Sequence, residues 1–522
     1  MGDFKKEFGK NFLDTLKGLI STLQKDLGYA VEFPEGLTWI NTTEPLTLEK
    51  LRGHVILLDF WTYCCINCIH VLEDLKYLED KYTNEPFVVI GVHSAKFKNE
   101  KDVANVRSAV GRYEIKHPVV VDNDHFFWKA YSINAWPSFV LIDPEGKILG
   151  KTAGEGQKGI LDNSITDALE RGREEGTLAD EKLDFEPDIF IESFLKYPGK
   201  IALDPENEQI FISDSNHNRI LRAQLEKDAI ANIIDIIGNE EPGLADGYFK
   251  TAQFHKPQGI FYQDNHLYVA DTENHALRKI DLENKTVKTI AGTGNQGRTR
   301  IYSGNPLKVS LNSPWDLIGD ETFLYIAMAG THQLWRYNLR ENIIENFAGN
   351  GREDIRDGNL QEALLAQPSG LALDNIQNRL YFMDSEVSAL RYADLTKNTV
   401  NTLIGKGLFI FGRKDGSFED ALLQHPLGID IHKGKIYIAD TYNHALREVD
   451  LLTKKIQTLI YQPKKGICKI GDEKCDFLPL NEPNDVLFYE GKLWIADTNN
   501  HLIRIFDLER KDVTDLYLFS EE

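Results

Sequence analysis

The chain has little cysteine: five in 522 residues, three of them at positions 64, 65 and 68. A secreted domain stapled by disulfides needs far more, so that class is excluded and a reducing compartment, the cytoplasm, is expected. Long apolar stretches are missing too, and with no run of 18 such residues a helical membrane span is excluded. At the amino terminus Phe4, Phe8, Phe12, Leu16, Ile20 and Leu23 recur at helical spacing, but Lys5, Lys6, Lys10, Asp14, Lys17 and Lys25 interrupt them. Without an unbroken apolar centre this is no signal peptide, and residues 1–34 are expected to carry an amphipathic helix. Positive charge is the last scarcity, with 59 Lys and Arg against 81 Asp and Glu and a formal net charge of −22. Such a chain repels phosphate backbones, so nucleic acid is not an expected partner.

What the chain has in abundance is repetition. Asp214, Asp271, Met328, Asp384, Asp440 and Asp497 follow one another at spacings of 57, 57, 56, 56 and 57 residues. The fullest copies read Ala-Asp-Thr-x-Asn-His, as at Ala439–His444, and a Pro-x-Gly or Pro-x-Asp element precedes them, as at Pro257–Gly259 and Pro483–Asp485. A fixed period of this length marks a repeat array. Within the second copy Gly259–Tyr262, His266–Ala270, His275–Ile280 and Thr286–Ala291 are short runs of β-formers with no helical run between them. Four strands per period predict a propeller blade, and six blades close a ring over about residues 195 to 520, which removes exposed sheet edges. Either residues 188–194 or residues 512–519 should complete the outer edge of the closing blade.

The repeated element predicts its own role. Asp and Thr side chains bond the N–H groups of a tight turn, and Asn tolerates a left-handed backbone, so the repeated Asp residues should fasten turns. They are distributed around the array, whereas metal ligands must converge. Met328 demands another fastening in the third copy. His217, His275, His444 and His501 repeat with the blades and read as scaffold residues.

Ahead of the repeats, the apolar run from Val55 enters Cys65-Ile66-Asn67-Cys68, after which Ile69, Leu72, Leu75 and Leu78 recur at helical intervals. A strand leading into a helix places Cys-x-x-Cys at the helix N-terminus, where the dipole and free N–H groups favour a thiolate. Cys65 is therefore the expected exposed, attacking sulfur and Cys68 the resolving one.

Asp59-Phe60-Trp61 before the cysteines, and Trp136-Pro137-Ser138 followed by Phe139–Asp143, resemble the thioredoxin-like superfamily over roughly residues 35 to 165. The resemblance implies that Asp59 accepts the proton of the resolving thiol. It also implies that Pro137, in a cis-proline loop, lies opposite the cysteines and lines the groove for a substrate peptide. Ile115–Trp128 resembles the insertion of the TlpA-like branch, and the repeated element resembles the core of NHL repeats. Together with Gly91–Phe97 and His117-Pro118, the chain resembles the NHL repeat-containing protein 2 family. That resemblance implies an α/β thioredoxin-like domain followed by an all-β six-bladed NHL-type propeller. The expected boundaries are 1–34 for the amphipathic helix, 35–185 for the thioredoxin-like domain with a linker helix, and 186–522 for the propeller. Animal members carry a further C-terminal β domain, which this chain, ending at Glu522, is expected to lack.

Cys64 stands where the superfamily usually has Trp, and Ile66-Asn67 replace its Gly-Pro or Pro-Pro. Couples of this kind span about −270 to −120 mV, which leaves the direction of electron flow open. Cys64 reads as a small buried residue or as a third participant in exchange. His93 ends its own strand, and if that strand runs parallel to the one before Cys65, both end on the sheet edge where ligands gather. There it either relays protons and steadies a thiolate or serves as a hydrogen-bonded scaffold residue. Thr62-x-x-Cys65 resembles a peroxiredoxin element, but Leu58 stands where its Pro belongs. Cys468 and Cys475 read as free thiols or as a client loop for Cys65; no zinc set accompanies them, and no cofactor or metal is expected. Two functions compete: a thiol–disulfide oxidoreductase acting on protein substrates recruited by the propeller, and a scaffold with an inert thioredoxin-like domain that binds protein partners on its groove and propeller face. A propeller-borne lyase or lactonase would need a non-repeating acid/base cluster at the channel, and none is visible in the sequence.

Overall fold

A computed structural model describes residues 28–188, 193–227, 229–461 and 479–520. The amino-terminal amphipathic segment, through Leu23, and both Cys468 and Cys475 lie outside the described residues. The chain divides into two compact units between residues 190 and 191.

The first unit is a six-stranded mixed sheet in the order β1 (Trp39–Ile40), β4 (Val119–Val121), β3 (Phe87–His93), β2 (Val55–Trp61), β5 (Ser138–Ile142), β6 (Ile148–Ala153). Every residue of β2 is buried, as a near-continuous apolar run requires of a strand covered on both faces. Alternation sends Ile56, Leu58 and Phe60 to one face, against Phe33, Trp39 and Phe127. Val55 and Leu57 go to the other, against Val71, Leu75 and Leu78 of helix α1 (Ile66–Lys81) and Leu161, Ile165 and Leu169 of a helix over Lys158–Glu175. β2 and β3 are parallel with Asp59 opposite Gly91 and Trp61 opposite His93, while β5 is antiparallel to β2 with Phe60 opposite Ser138.

The second unit is a six-bladed β-propeller of antiparallel blades. Blade II shows the pattern: Pro257–Gln263, His266–Asp271, Ala276–Asp281 and Thr286–Ala291, with a short fifth strand, Gly247–Tyr248, on its outer edge. That fifth strand, absent from the four-strand expectation, covers the blade's open N–H and C=O row. Residues 512–519 serve both ends of the array. Val513–Asp515 is the fourth strand of blade VI, and Tyr517–Phe519 pairs in parallel with the outer strand of blade I.

The repeated element works as a coupling between neighbouring blades. Asp271, Asp384, Asp440 and Asp497 each pair with an Arg seven positions on (Arg278, Arg391, Arg447 and Arg504) at 2.8, 2.7, 2.5 and 3.0 Å, with both side chains almost fully buried. The hydroxyl of the next residue donates to the Pro carbonyl that opens the following blade, ending with Thr498 to Pro198 at 2.7 Å across the ring closure. A left-handed residue four places after the Asp then accepts the backbone N–H of the following blade: Asn218, His275, His332, Ser388, His444 and His501, all at 3.0–3.1 Å. Asn218, not His217, is thus the first-blade counterpart of His275; His217 takes the place of Asn274, its ring 2.8 Å from Asp214. In blade III the buried ion pair is replaced by Met328 and Trp335, which pack in the apolar core, and Asn312 N–H points at the Met328 sulfur at 3.3 Å. An apolar pair of similar volume substitutes for a buried ion pair at little cost.

Candidate functional site

β2 runs to Trp61, and the chain turns through Thr62-Tyr63-Cys64 into α1 with Cys65 as its N-cap residue. Cys65 is half-buried, whereas Cys68, one turn in, and Cys64 are buried. The Cys68 N–H donates to the Cys65 carbonyl at 3.0 Å, so the pair shares the first helical turn. Burial pushes the Cys68 thiol well above its usual pKa, and a hydrogen bond with the Cys65 side chain adds to the shift. Such a thiol needs a base to become nucleophilic.

The buried carboxyl on this side of the sheet is that of Asp59. It lies two residues before the end of β2, on the face covered by α1, 1% exposed, and its Oδ1 has no hydrogen-bond partner. Burial pushes its carboxyl up to about 7, with the charge of His117 pulling down and that of Glu79 pushing up. Pro137 follows a cis peptide bond and immediately precedes β5; since Ser138 sits opposite Phe60, it abuts the end of β2 from which the cysteine loop departs. Asp59, Cys65, Cys68 and Pro137 thus cluster around one end of β2.

His93 and Cys64 sit beside this cluster in other circumstances than a surface catalyst's. β3 is parallel to β2, so His93 does end on the cysteine edge. It is fully buried, stacks on Tyr63 with ring centroids 5.5 Å apart, and neither ring nitrogen has a hydrogen-bond partner. Burial drives its pKa down to about 3, so it is a neutral ring and brings no charge to steady a thiolate. The Cys64 sulfur lies 4.0 Å from the Thr62 hydroxyl.

Two groups escaped sequence reasoning. Glu100 is fully buried and accepts the N–H groups of Cys64, Lys96 and Phe97 at 3.0, 2.9 and 2.8 Å. It pins the loop that presents the cysteines, and burial raises its pKa. In the sequence it sits in a polar run, Asn99-Glu100-Lys101, that reads as a solvated turn. The second is in the propeller channel, where a non-repeating titratable cluster does exist. Lys200 is 3.2 Å from Asp316 and 3.4 Å from Asp485, in a cavity of about 270 Å³ that Asp430 also lines. Asp316, Asp430 and Asp485 each accept an N–H from the following blade (Leu371, Phe488 and Ile201), which makes them latches between inner strands. Only the third residue of each Pro-x-Gly, Pro-x-Asp or Pro-Gly-Lys element hinted at it. Among the described residues no group of three or more His, Cys, Asp or Glu is placed to hold a metal, and no helix is long and apolar enough to cross a membrane.

A thioredoxin-like family model matches residues 53–148, and an NHL repeat model matches residues 254–280. Thiol-disulfide oxidoreductase ResA of Bacillus cereus is 29% identical over 23% of this chain and 66% of its own length. Protein SUPPRESSOR OF QUENCHING 1, chloroplastic, of Arabidopsis thaliana is 44% identical over 93% of this chain, which spans only 47% of that relative. NHL repeat-containing protein 2 of Homo sapiens is 39% identical over 94% of this chain and 72% of its own length. With a match of that identity over more than two thirds of the relative, the chain belongs to the NHL repeat-containing protein 2 family.

Proposed function

We propose that the chain is a thiol–disulfide oxidoreductase for protein substrates, with Cys65 attacking, Cys68 resolving, Asp59 moving the proton and Pro137 lining the substrate groove. The observation that carries this reading is a half-exposed Cys65 above a buried Cys68, backed by a buried carboxyl that titrates at about 7. A base poised near neutrality both takes and returns a proton. In the direction that reduces the substrate, the Cys65 thiolate attacks a substrate disulfide, forming the Cys65–substrate bond and releasing one substrate thiolate. Cys68 gives its proton to Asp59 and attacks the Cys65 sulfur, forming the Cys65–Cys68 disulfide and releasing the second substrate thiolate. The substrate gains two electrons and the dithiol loses two; the same steps reversed oxidise a substrate dithiol.

Propeller faces and channels are where inter-strand loops converge, and the propeller is proposed to recruit the substrate protein there. The few cysteines fit a reducing compartment. The cytoplasm is one; since the Arabidopsis relative is named chloroplastic, the proposal is the redox condition and not one organelle.

Cys68→Ser leaves the mixed disulfide unresolved, so partners should stay covalently attached to Cys65 after acid quench and vanish on reduction. Cys64→Ala is combined with it, because Cys64 is the neighbouring thiol able to resolve the adduct instead. Adducts absent from Cys65→Ser, Cys68→Ser support the oxidoreductase. Partners that co-purify only noncovalently would leave the scaffold reading in its place.

A further inference from the structure

The proton that Asp59 takes from Cys68 must leave a site sealed on both faces of the sheet. Asp59, Trp61, Gly91 and His93 share the face under α1, and Gly91, opposite Asp59, contributes no side chain. The imidazole of His117 fills that place: a Cβ on Gly91 would come 3.4 Å from His117 Nε2 and 3.0 Å from Trp61 Nε1. The other ring nitrogen, Nδ1, is 3.3 Å from Glu79 Oε1 on α1. The His117 side chain is 4% exposed, whereas that of Glu79 is 31% exposed. One imidazole therefore stands between a sealed carboxyl and one that reaches water.

We propose that His117 and Glu79 are the outlet of the proton path that serves Cys68, with Asp59 passing its proton to His117 at Nε2 and His117 releasing one from Nδ1 to Glu79. This rests on the oxidoreductase reading. When Cys68 is oxidised its proton goes to Asp59, through His117, and from Glu79 to solvent. When the Cys65–Cys68 disulfide is reduced a proton returns by the same route to the leaving Cys68 thiolate, so charge balances in both directions without another reactant. The titratable and charged groups facing His117 are Asp59 from β2 and Glu79 from α1; His93, on β3, stays neutral. The two carboxylates together outweigh burial and hold the His117 pKa above its usual value, while Glu79 and His117 act on Asp59 in opposite senses. His117 and Glu79 are positioning and relay groups, and neither touches the substrate.

The test is a stopped-flow measurement, on the full chain, of adduct formation and adduct resolution with a disulfide-bonded peptide across pH 5 to 9. Glu79→Gln, at a partly exposed site, keeps the fold if His117→Gln does not. Resolution relative to adduct formation should slow roughly tenfold in either variant, part of the effect typical of a positioned base. The pH midpoint of resolution should move down in Glu79→Gln and up in His117→Gln, with Glu79→Asp restoring most of the rate. A packing defect would shift neither midpoint in this paired way. Wild-type rates and midpoints in Glu79→Gln, with the wild-type protein exchanging normally, would overturn the relay alone. Failure of the wild-type protein to form or resolve adducts would overturn the relay and the oxidoreductase reading together.

Discussion

Lys200→Met should cost the propeller about 3–5 kcal/mol at pH 8, the loss expected when one partner leaves a buried ion cluster. Lys200 is almost fully buried, its ammonium shared between Asp316, Asp485 and the Leu427 carbonyl at 3.2, 3.4 and 3.1 Å. Burial alone would lower its pKa, and the two carboxylates reverse that and raise it. Without it, two carboxylates of one channel repel each other beside Asp430, itself pushed up to about 7 by burial. The effect should shrink toward pH 5. Asp485 already titrates at about 6, because burial raises it against the pull of Lys200, and it rises further once that pull is gone. At pH 5 it is then protonated and the repulsion disappears. Asp316→Asn and Asp485→Asn in the same background should recover much of the loss. Unfolding of the full chain gives the magnitude, and hydrogen exchange at the Ile201 and Leu371 amides, held by Asp485 and Asp316, assigns it to the inner ring. A loss under about 1 kcal/mol, or one equal at pH 5 and pH 8, contradicts the latch.

Asp59→Asn should split stability from rate. The carboxyl titrates at about 7 in the folded unit because it is buried, against about 3.9 in an unfolded chain. An acid harder to ionise folded than unfolded lends its full stability below pH 4, loses it as pH rises through 7, and is level above. Three units correspond to roughly 4 kcal/mol at most, and an imperfectly bonded Asn amide takes back about 1–3 of it. The variant should therefore gain on the wild type progressively from pH 4 to pH 8. Resolution of the mixed disulfide should meanwhile slow about a hundredfold near neutrality, the contribution of one positioned base. Thermal unfolding of the thioredoxin-like unit against pH, alongside adduct decay, checks both. A stability difference that does not change between pH 4 and pH 8 would mean that Asp59 is not the group titrating near 7.

The period of the Asp residues made the ring legible, because each blade repeats the same turn chemistry at the same offset. The Arg seven places on recurs in four of the six copies and was legible too, as was its joint loss with the Asp in blade III, where Met328 and Trp335 stand. What the period conceals is partnership. His275, His332 and His444 accept N–H groups of the next blade 35–38 positions away, and no local pattern names an acceptor at that distance. The site divides in the same way. Cys65, Cys68 and Asp59 lie within ten residues on one strand and one helix, so alternation and helical spacing place them. Glu100, in a short 3-10 turn, and His117, in a loop, lie 36 residues after Cys64 and 58 after Asp59, and acquire their meaning only when the sheet brings β3 beside β2 and β4 beside β3.

The most direct test of the account is the equilibrium of Cys65 and Cys68 in the full chain with glutathione buffers of graded poise, read by acid quench, alkylation and mass spectrometry of the cysteine peptide. An oxidoreductase should show one two-electron transition, with both thiols lost together into the Cys65–Cys68 disulfide at a midpoint between about −270 and −120 mV. Both thiols remaining alkylatable throughout, or Cys65 accumulating only as a glutathione adduct that Cys68 never resolves, would contradict it.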